Sequence, residues 1–252
     1  ILKEKPNAKI AVLYQNDDYG KDYFNGFVAG LGKQNEKMIV SRATYEVTDP
    51  TVESQMIMLK SSGANVFFDF SNGKFTVQSL RRMGELGWTP QVYLPVGSSS
   101  IASILKPAGI EPAVGAVTLA NMKNPLDPQW RDDAGIKAYY EFMKRWAPAL
   151  DPEDSLNVNA YSMSITLAEV LRRCGNDLTR ENVMRHFLSL KDYTTPVMLP
   201  GVAITTAPDM QRYVVGERGW LSDAQFTTSV ALAQAAPGPN VPSSGACASS
   251  RL

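Results

Sequence analysis

Ala8-Lys9-Ile10-Ala11-Val12-Leu13-Tyr14, then Gln15-Asn16-Asp17-Asp18-Tyr19-Gly20, is the stretch whose reading decides the fold. The first seven residues form a β-prone run and the next six break it with polar groups. From Lys21 the apolar spacing changes, because Tyr23, Phe24, Phe27, Val28 and Leu31 make one stripe of an amphipathic helix. A second β-prone run, Met38 to Tyr45, completes a strand–helix–strand unit. Parallel strands joined by a helix predict an α/β sheet with right-handed crossovers. Such sheets hold ligands beyond the carboxyl ends of their strands, so the loop Gln15–Gly20 is the first place to look for a site.

The alternation continues downstream. Asp49-Pro50 reads as an N-cap with proline at the first helical position, and that helix runs to about Ser62 before Gly63. Asn65–Phe70 is apolar on both faces, as a buried parallel strand is. Ser71-Asn72-Gly73 leads into a helix carrying Val77, Leu80 and Met83, which stops near Gly87. Gln91–Leu94 and Val114–Leu119 are a fourth and a fifth strand. Residues 1–120 thus read as one doubly wound α/β lobe.

After Pro-punctuated Asn121–Pro128 the pattern changes. Three helices follow without strands between them. The first carries Ile136, Tyr140 and Met143; the second, Ser155 to Cys174, is apolar almost all round; the third starts after Thr179. A helix apolar all round needs cover on several sides, yet only Val202–Thr205 and Arg212–Val215 remain as candidate strands. Residues 121–200 are therefore a helical segment built for a sheet not evident in this sequence, and 201–222 hold the last strands. From Ala233 the chain is Ala, Pro, Gly and Ser, and residues 223–252 read as a disordered or non-native tail.

Composition excludes several classes. Lys plus Arg and Asp plus Glu number 25 each, so the zero net charge argues against a nucleic-acid or anionic-membrane partner. No apolar run approaches the roughly 18 residues of a membrane span, so membrane insertion is not expected. The two cysteines, Cys174 and Cys247, make no disulfide framework, and with the single His186 they give no zinc spacing. No cofactor or metal is expected. Gly26, Gly30 and Gly32 fall within the first helix instead of a strand-to-helix turn, so they are no dinucleotide fingerprint. Gly97-Ser98-Ser99-Ser100 lacks the second glycine of a nucleophile elbow, so enzymatic activity is not expected. The absence of an initiator Met at Ile1 reads as a processed chain or a fragment.

With these residues in place, the sequence resembles the substrate-binding proteins of branched-chain amino acid ABC transporters, the type I periplasmic binding proteins. The resemblance rests on Ile10–Lys21, Tyr45–Thr51, Leu59–Val66, Gly87–Pro90, Leu105–Gly109 and Cys174–Val183, in this order and spacing, with a weaker echo at Gly216–Trp220. It implies two α/β lobes crossed three times by the chain. Residues 1–120 would be the second lobe, the helices between Trp130 and Leu190 would belong to a largely absent first lobe, and 201–222 would hold the final hinge crossing. It also implies a periplasmic or extracytoplasmic location, a small-molecule ligand and an ABC transporter permease as partner. A ligand-binding sensor domain of a receptor, with the same fold, is the alternative.

The candidate ligand-binding residues are Tyr19, Asp18, Phe70, Ser71, Asn72, Gly97 and Ser98. The family's counterpart of Tyr19 faces the interlobe cleft, where a phenol covers an apolar group or donates its hydroxyl. Asp17 and Asp18 have two readings: acceptors for a ligand ammonium, or a turn and helix-start pair. Phe70-Ser71-Asn72 and Gly97-Ser98-Ser99 end the third and fourth strands, on the same edge as Tyr19, with hydroxyls, an amide and backbone N–H groups suited to a small polar ligand. Amino-acid-binding members commonly place an acidic residue near the Gly97–Ser98 loop. Its absence here points toward an aromatic or other organic acid as much as a branched-chain amino acid. A rival of another class, a phosphoacceptor receiver domain, would make Asp69 the acceptor beside Asp17 and Asp18.

Overall fold

The structure, a computed structural model, describes residues 1–206. Five parallel strands, β1 (Ile10–Gln15), β2 (Ile39–Tyr45), β3 (Val66–Phe70), β4 (Gln91–Leu94) and β5 (Val117–Thr118), form one sheet in the order β2-β1-β3-β4-β5. Helices α1 (Asp18–Leu31), α2 (Glu53–Ser61), α3 (Lys74–Glu85) and the short α4 (Lys106–Ala108) follow the first four strands in turn.

Side-chain alternation divides the strands between two cores. Ile10, Val12, Val66 and Phe70 join Leu31 on the α1 side, with Phe24 and Phe27 packed against them. Ala11, Leu13, Phe67 and Val92 join Met56, Leu59, Leu80 and Met83 on the α2–α3 side. Buried on both faces, β1 and β3 carry apolar runs on both faces, Ile10–Leu13 and Val66–Phe68, which is why the sequence locates them so well.

Several boundaries differ from expectation for visible reasons. Helix α1 starts at Asp18 rather than Lys21, because Asp17 caps it by accepting from the Gly20 N–H. The polar loop therefore shrinks to Asn16 and Asp17, and Gly32, with φ of 81°, is the C-cap outside the helix. Asp49 does not cap α2. Its carboxylate accepts from the Glu46 N–H to close a turn, and α2 begins at Glu53 after Val52, with no side-chain cap. β5 contracts to two residues because Glu111–Ala113 form a 3-10 turn and Gly115 takes a φ of 81°.

Two compact units are present among the described residues: 1–120 with 148–157, and 121–147 with 158–206. Residues 148–157 join the first unit through a Ser100–Asp154 hydrogen bond of 2.8 Å and a Lys106–Glu153 ion pair. The second unit contains α5 (Ala134–Trp146), most of α6 (Ser155–Cys174) and α7 (Arg180–Leu188). On α5 the fully buried tyrosine is Tyr139, with the expected Tyr140 only half-buried. α6 is not covered all round. It buries Val158, Ser162, Thr166, Val170 and Cys174, while Leu156, Met163, Leu167 and Leu171 are exposed. Of Val202–Thr205 only Ile204 pairs, in a single antiparallel bridge to Tyr193. Arg212–Val215, Gly216–Trp220, Cys247 and residues 223–252 lie outside the described residues. No helix among the described residues is long and apolar enough to cross a membrane.

Candidate functional site

In the order β2-β1-β3-β4-β5 the chain reverses direction of winding between β1 and β3, which remain paired up to Tyr14 and Phe70, and the carboxyl edge at this point is where doubly wound sheets hold ligands. The residues singled out in the sequence lie at this edge, at the ends of β1, β3 and β4. α1 begins at one side of it because Gly20 packs directly on the end of β1. A Cβ there would lie 2.0 Å from the Gln15 carbonyl oxygen. That close approach brings Tyr19, in the first helical turn, to the sheet edge.

Tyr19 is half-buried. Its ring meets Tyr23 edge-on at 5.0 Å, and Tyr23 stacks on Phe70 at 5.4 Å. Burial pushes the Tyr19 phenol well up, with Tyr23 adding to the shift and hydrogen bonding to Ser98 offsetting part of it. Ser98 is fully buried and donates to the Ser71 carbonyl at 2.7 Å, tying the loop after β4 to the end of β3. Ser71, also buried, donates its hydroxyl to Thr76 at 3.0 Å. The hydroxyls of Ser71 and Ser98 thus shape the wall from within, while Asn72 and Gly97 stand exposed on it.

Of the acidic pair, Asp17 has the local role: it caps α1 and accepts from the Gln15 side chain. Asp18, one residue on, is exposed at the rim. The Phe70 ring sits in the α1-side core, 7% exposed, and reaches the site by supporting Tyr23.

Two participants were not singled out as ligand residues. Tyr45, at the end of β2, receives the Asn72 N–H at 3.1 Å and donates to Gln15 at 3.1 Å, so one phenol links three strand ends. Burial pushes this phenol up, partly offset by the Asn72 N–H. Asp69, on the α3 side of β3, is completely enclosed and accepts from the Ser71 N–H at 3.0 Å and from the Ser79 hydroxyl. Burial raises its carboxyl to about 6, against the three stabilising hydrogen-bond contributions of Ser71 and Ser79. A lone acid in an otherwise apolar buried strand was the available signal for it. These bonds, and its complete enclosure, also remove Asp69 from the role of a phosphoacceptor. Among the described residues no group of three or more His, Cys, Asp or Glu is arranged to hold a metal ion.

The sequence matches the periplasmic binding protein family over residues 1–238. The chain belongs to this family. No curated protein matches it significantly. Among solved structures, it is similar to a substrate-binding periplasmic protein from Ralstonia solanacearum, with 22% identity, a TM-score of 0.64 and coverage of 77% of this chain and 53% of that one. A possible leucine/isoleucine/valine-binding protein from Rhodopirellula baltica aligns with 16% identity and a TM-score of 0.67, covering 82% and 55%. A leucine-binding protein from Thermotoga maritima aligns with 15% identity and a TM-score of 0.57, covering 81% and 55%. At these identities the likeness is one of fold: the type I periplasmic-binding-protein architecture. This periplasmic binding protein spans about half the length of those relatives.

Proposed function

We propose that this chain is part of an extracytoplasmic solute-binding protein that delivers a small organic ligand to an ABC importer. The observation carrying this reading is the convergence of Tyr19, Asn72, Gly97 and the Ser71–Ser98 pair at one sheet edge, within a family of binding proteins. In this reading residues 1–120 supply one wall of a cleft and the helical segment 121–200 belongs with a first lobe. Ligand binding then shifts an open–closed equilibrium of two lobes.

The composition of the wall supports a ligand class. An aromatic ring at its edge, the exposed Asn72 and Gly97 and a shortage of unengaged carboxylates suit a branched-chain amino acid or an aromatic or other organic acid. The test is a thermal-shift screen of the full-length protein with leucine, isoleucine, valine, benzoate, 4-hydroxybenzoate and succinate. Saturable stabilisation by one class is the expected result. No shift with any of them sinks the reading.

A further inference from the structure

The wall has a buried charge behind it. Asp69 Oδ1 receives the Ser71 N–H at 3.0 Å, and Oδ2 receives the Ser79 hydroxyl. Ser79 Oγ also lies 3.0 Å from the Thr76 carbonyl oxygen. This geometry serves both protonation states. When Asp69 is ionised, Ser79 donates to it. When Asp69 holds a proton on Oδ2, that O–H donates to Ser79 Oγ, and the Ser79 hydrogen turns to the Thr76 carbonyl. The Ser71 N–H contact persists in either state. A proton can therefore be gained or lost without moving a heavy atom: the Asp69–Ser71 and Asp69–Ser79 contacts persist, and only the Ser79 hydrogen turns between Asp69 and the Thr76 carbonyl.

The surroundings make that charge felt at the wall. From α1 and β2, Tyr19 and Tyr45 both sense the Asp69 carboxylate, which raises their phenols, and Asp17 faces Tyr45 as a second negative group. From α3 come Ser79 and Thr76, and β1 contributes apolar Leu13 beside it. Among the described residues, no cation contributes to its ionisation. Enclosed in low dielectric, an unneutralised carboxylate acts strongly over short distances.

Resting on the solute-binding reading above, we infer that Asp69 is a positioning residue that sets the charge the wall tolerates: an organic monoanion seated at the exposed Asn72 and Gly97, directly in front of the Ser71–Asp69 bond, binds with uptake of a proton from solvent by Asp69. Monoanion affinity then rises as pH falls. A zwitterion such as leucine, whose ammonium offsets its carboxylate, shows a weaker dependence.

Two measurements on the full-length protein test this. In the first, the ¹⁵N-serine-labelled protein is titrated without ligand and the Ser71 amide resonance followed from pH 4.5 to 8. One transition near pH 6 is expected; Asp69→Asn, which mimics the protonated carboxyl, abolishes it, and Ser79→Ala moves it upward. In the second, benzoate and leucine binding are measured by calorimetry at pH 5 and pH 7.5. Benzoate should bind about tenfold more tightly at pH 5, equivalent to one pKa unit of coupling, with this difference lost in Asp69→Asn. A Ser71 transition near pH 4, no transition, pH-independent benzoate binding, or leucine binding without benzoate binding each overturns the proposal. A Ser71 transition near pH 6 with no compound of the screening panel bound sinks the solute-binding reading instead.

Discussion

The Ser98 hydroxyl donates to the Ser71 carbonyl at 2.7 Å, and both residues are completely buried. This one bond fixes the loop after β4 against the end of β3 and holds Ser98 where Tyr19 meets it. Ser98→Ala leaves the Ser71 carbonyl without that donor. The expected cost is about 1–3 kcal/mol of stability, the penalty of an orphaned buried acceptor. Urea unfolding of the variant against the parent measures it, and an unchanged midpoint contradicts the assignment.

Tyr19 separates packing from recognition. Tyr19→Phe keeps the edge-on contact with Tyr23 and removes only the hydroxyl, so stability should change by less than about 1 kcal/mol. Tyr19→Ala removes the ring as well and should weaken ligand binding by more than about 1 kcal/mol. Calorimetry with a compound identified in the thermal-shift screen provides the comparison. Intact affinity in Tyr19→Ala places this ring outside the ligand surface.

Gly20 tolerates no side chain, because a Cβ would meet the Gln15 carbonyl oxygen at 2.0 Å, a backbone atom that cannot swing aside. Gly20→Ala should cost about 3 kcal/mol, the upper end of the overpacking range. It should also displace the first turn of α1 and so perturb Tyr19. Chemical denaturation reports the first effect and the near-ultraviolet tyrosine signal the second.

Asp69 gives stability a pH dependence of definite sign. Its folded-state value of about 6 stands above the ordinary 3.8, so between those values the folded chain holds a proton that the unfolded chain has lost. Stability from this group therefore falls as pH rises through that window, by about 3 kcal/mol when complete. Asp69→Asn should flatten the slope and be the more stable protein at pH 7.5. Denaturation midpoints at pH 4.5, 5.5 and 7.5 decide the matter; parallel profiles for the two proteins contradict it.

The exposed row Leu156, Met163, Leu167 and Leu171 on α6 is an association hazard. Sedimentation velocity of the 252-residue chain should show concentration-dependent self-association. Leu167→Glu, at an exposed position, should reduce it while changing stability by less than about 0.5 kcal/mol. Association undiminished in the variant removes this row as its cause.

The strand and helix order of the first 120 residues was legible in the sequence because β1 and β3 are buried on both faces. Burial of that kind demands unbroken apolar runs such as Ile10–Leu13 and Val66–Phe68. That Tyr19, Ser71 and Ser98 lie at one edge of the sheet was legible for a related reason: parallel strands bring their carboxyl ends to the same edge, and strand ends are marked by polar residues. Boundaries were less legible, since Asp49 offers a carboxylate equally suited to capping a helix or closing a turn. Which carboxylate does what was decided by tertiary structure alone. Asp17, Asp18 and Asp69 are the same side chain, yet one caps α1, one stands in solvent and one is enclosed against Ser79. The same holds for α6, whose apolar residues lie on both a buried and an exposed face. Periodicity records that a residue is apolar and where it falls on its helix, whereas burial and the shift of a carboxyl depend on what the rest of the chain brings beside it.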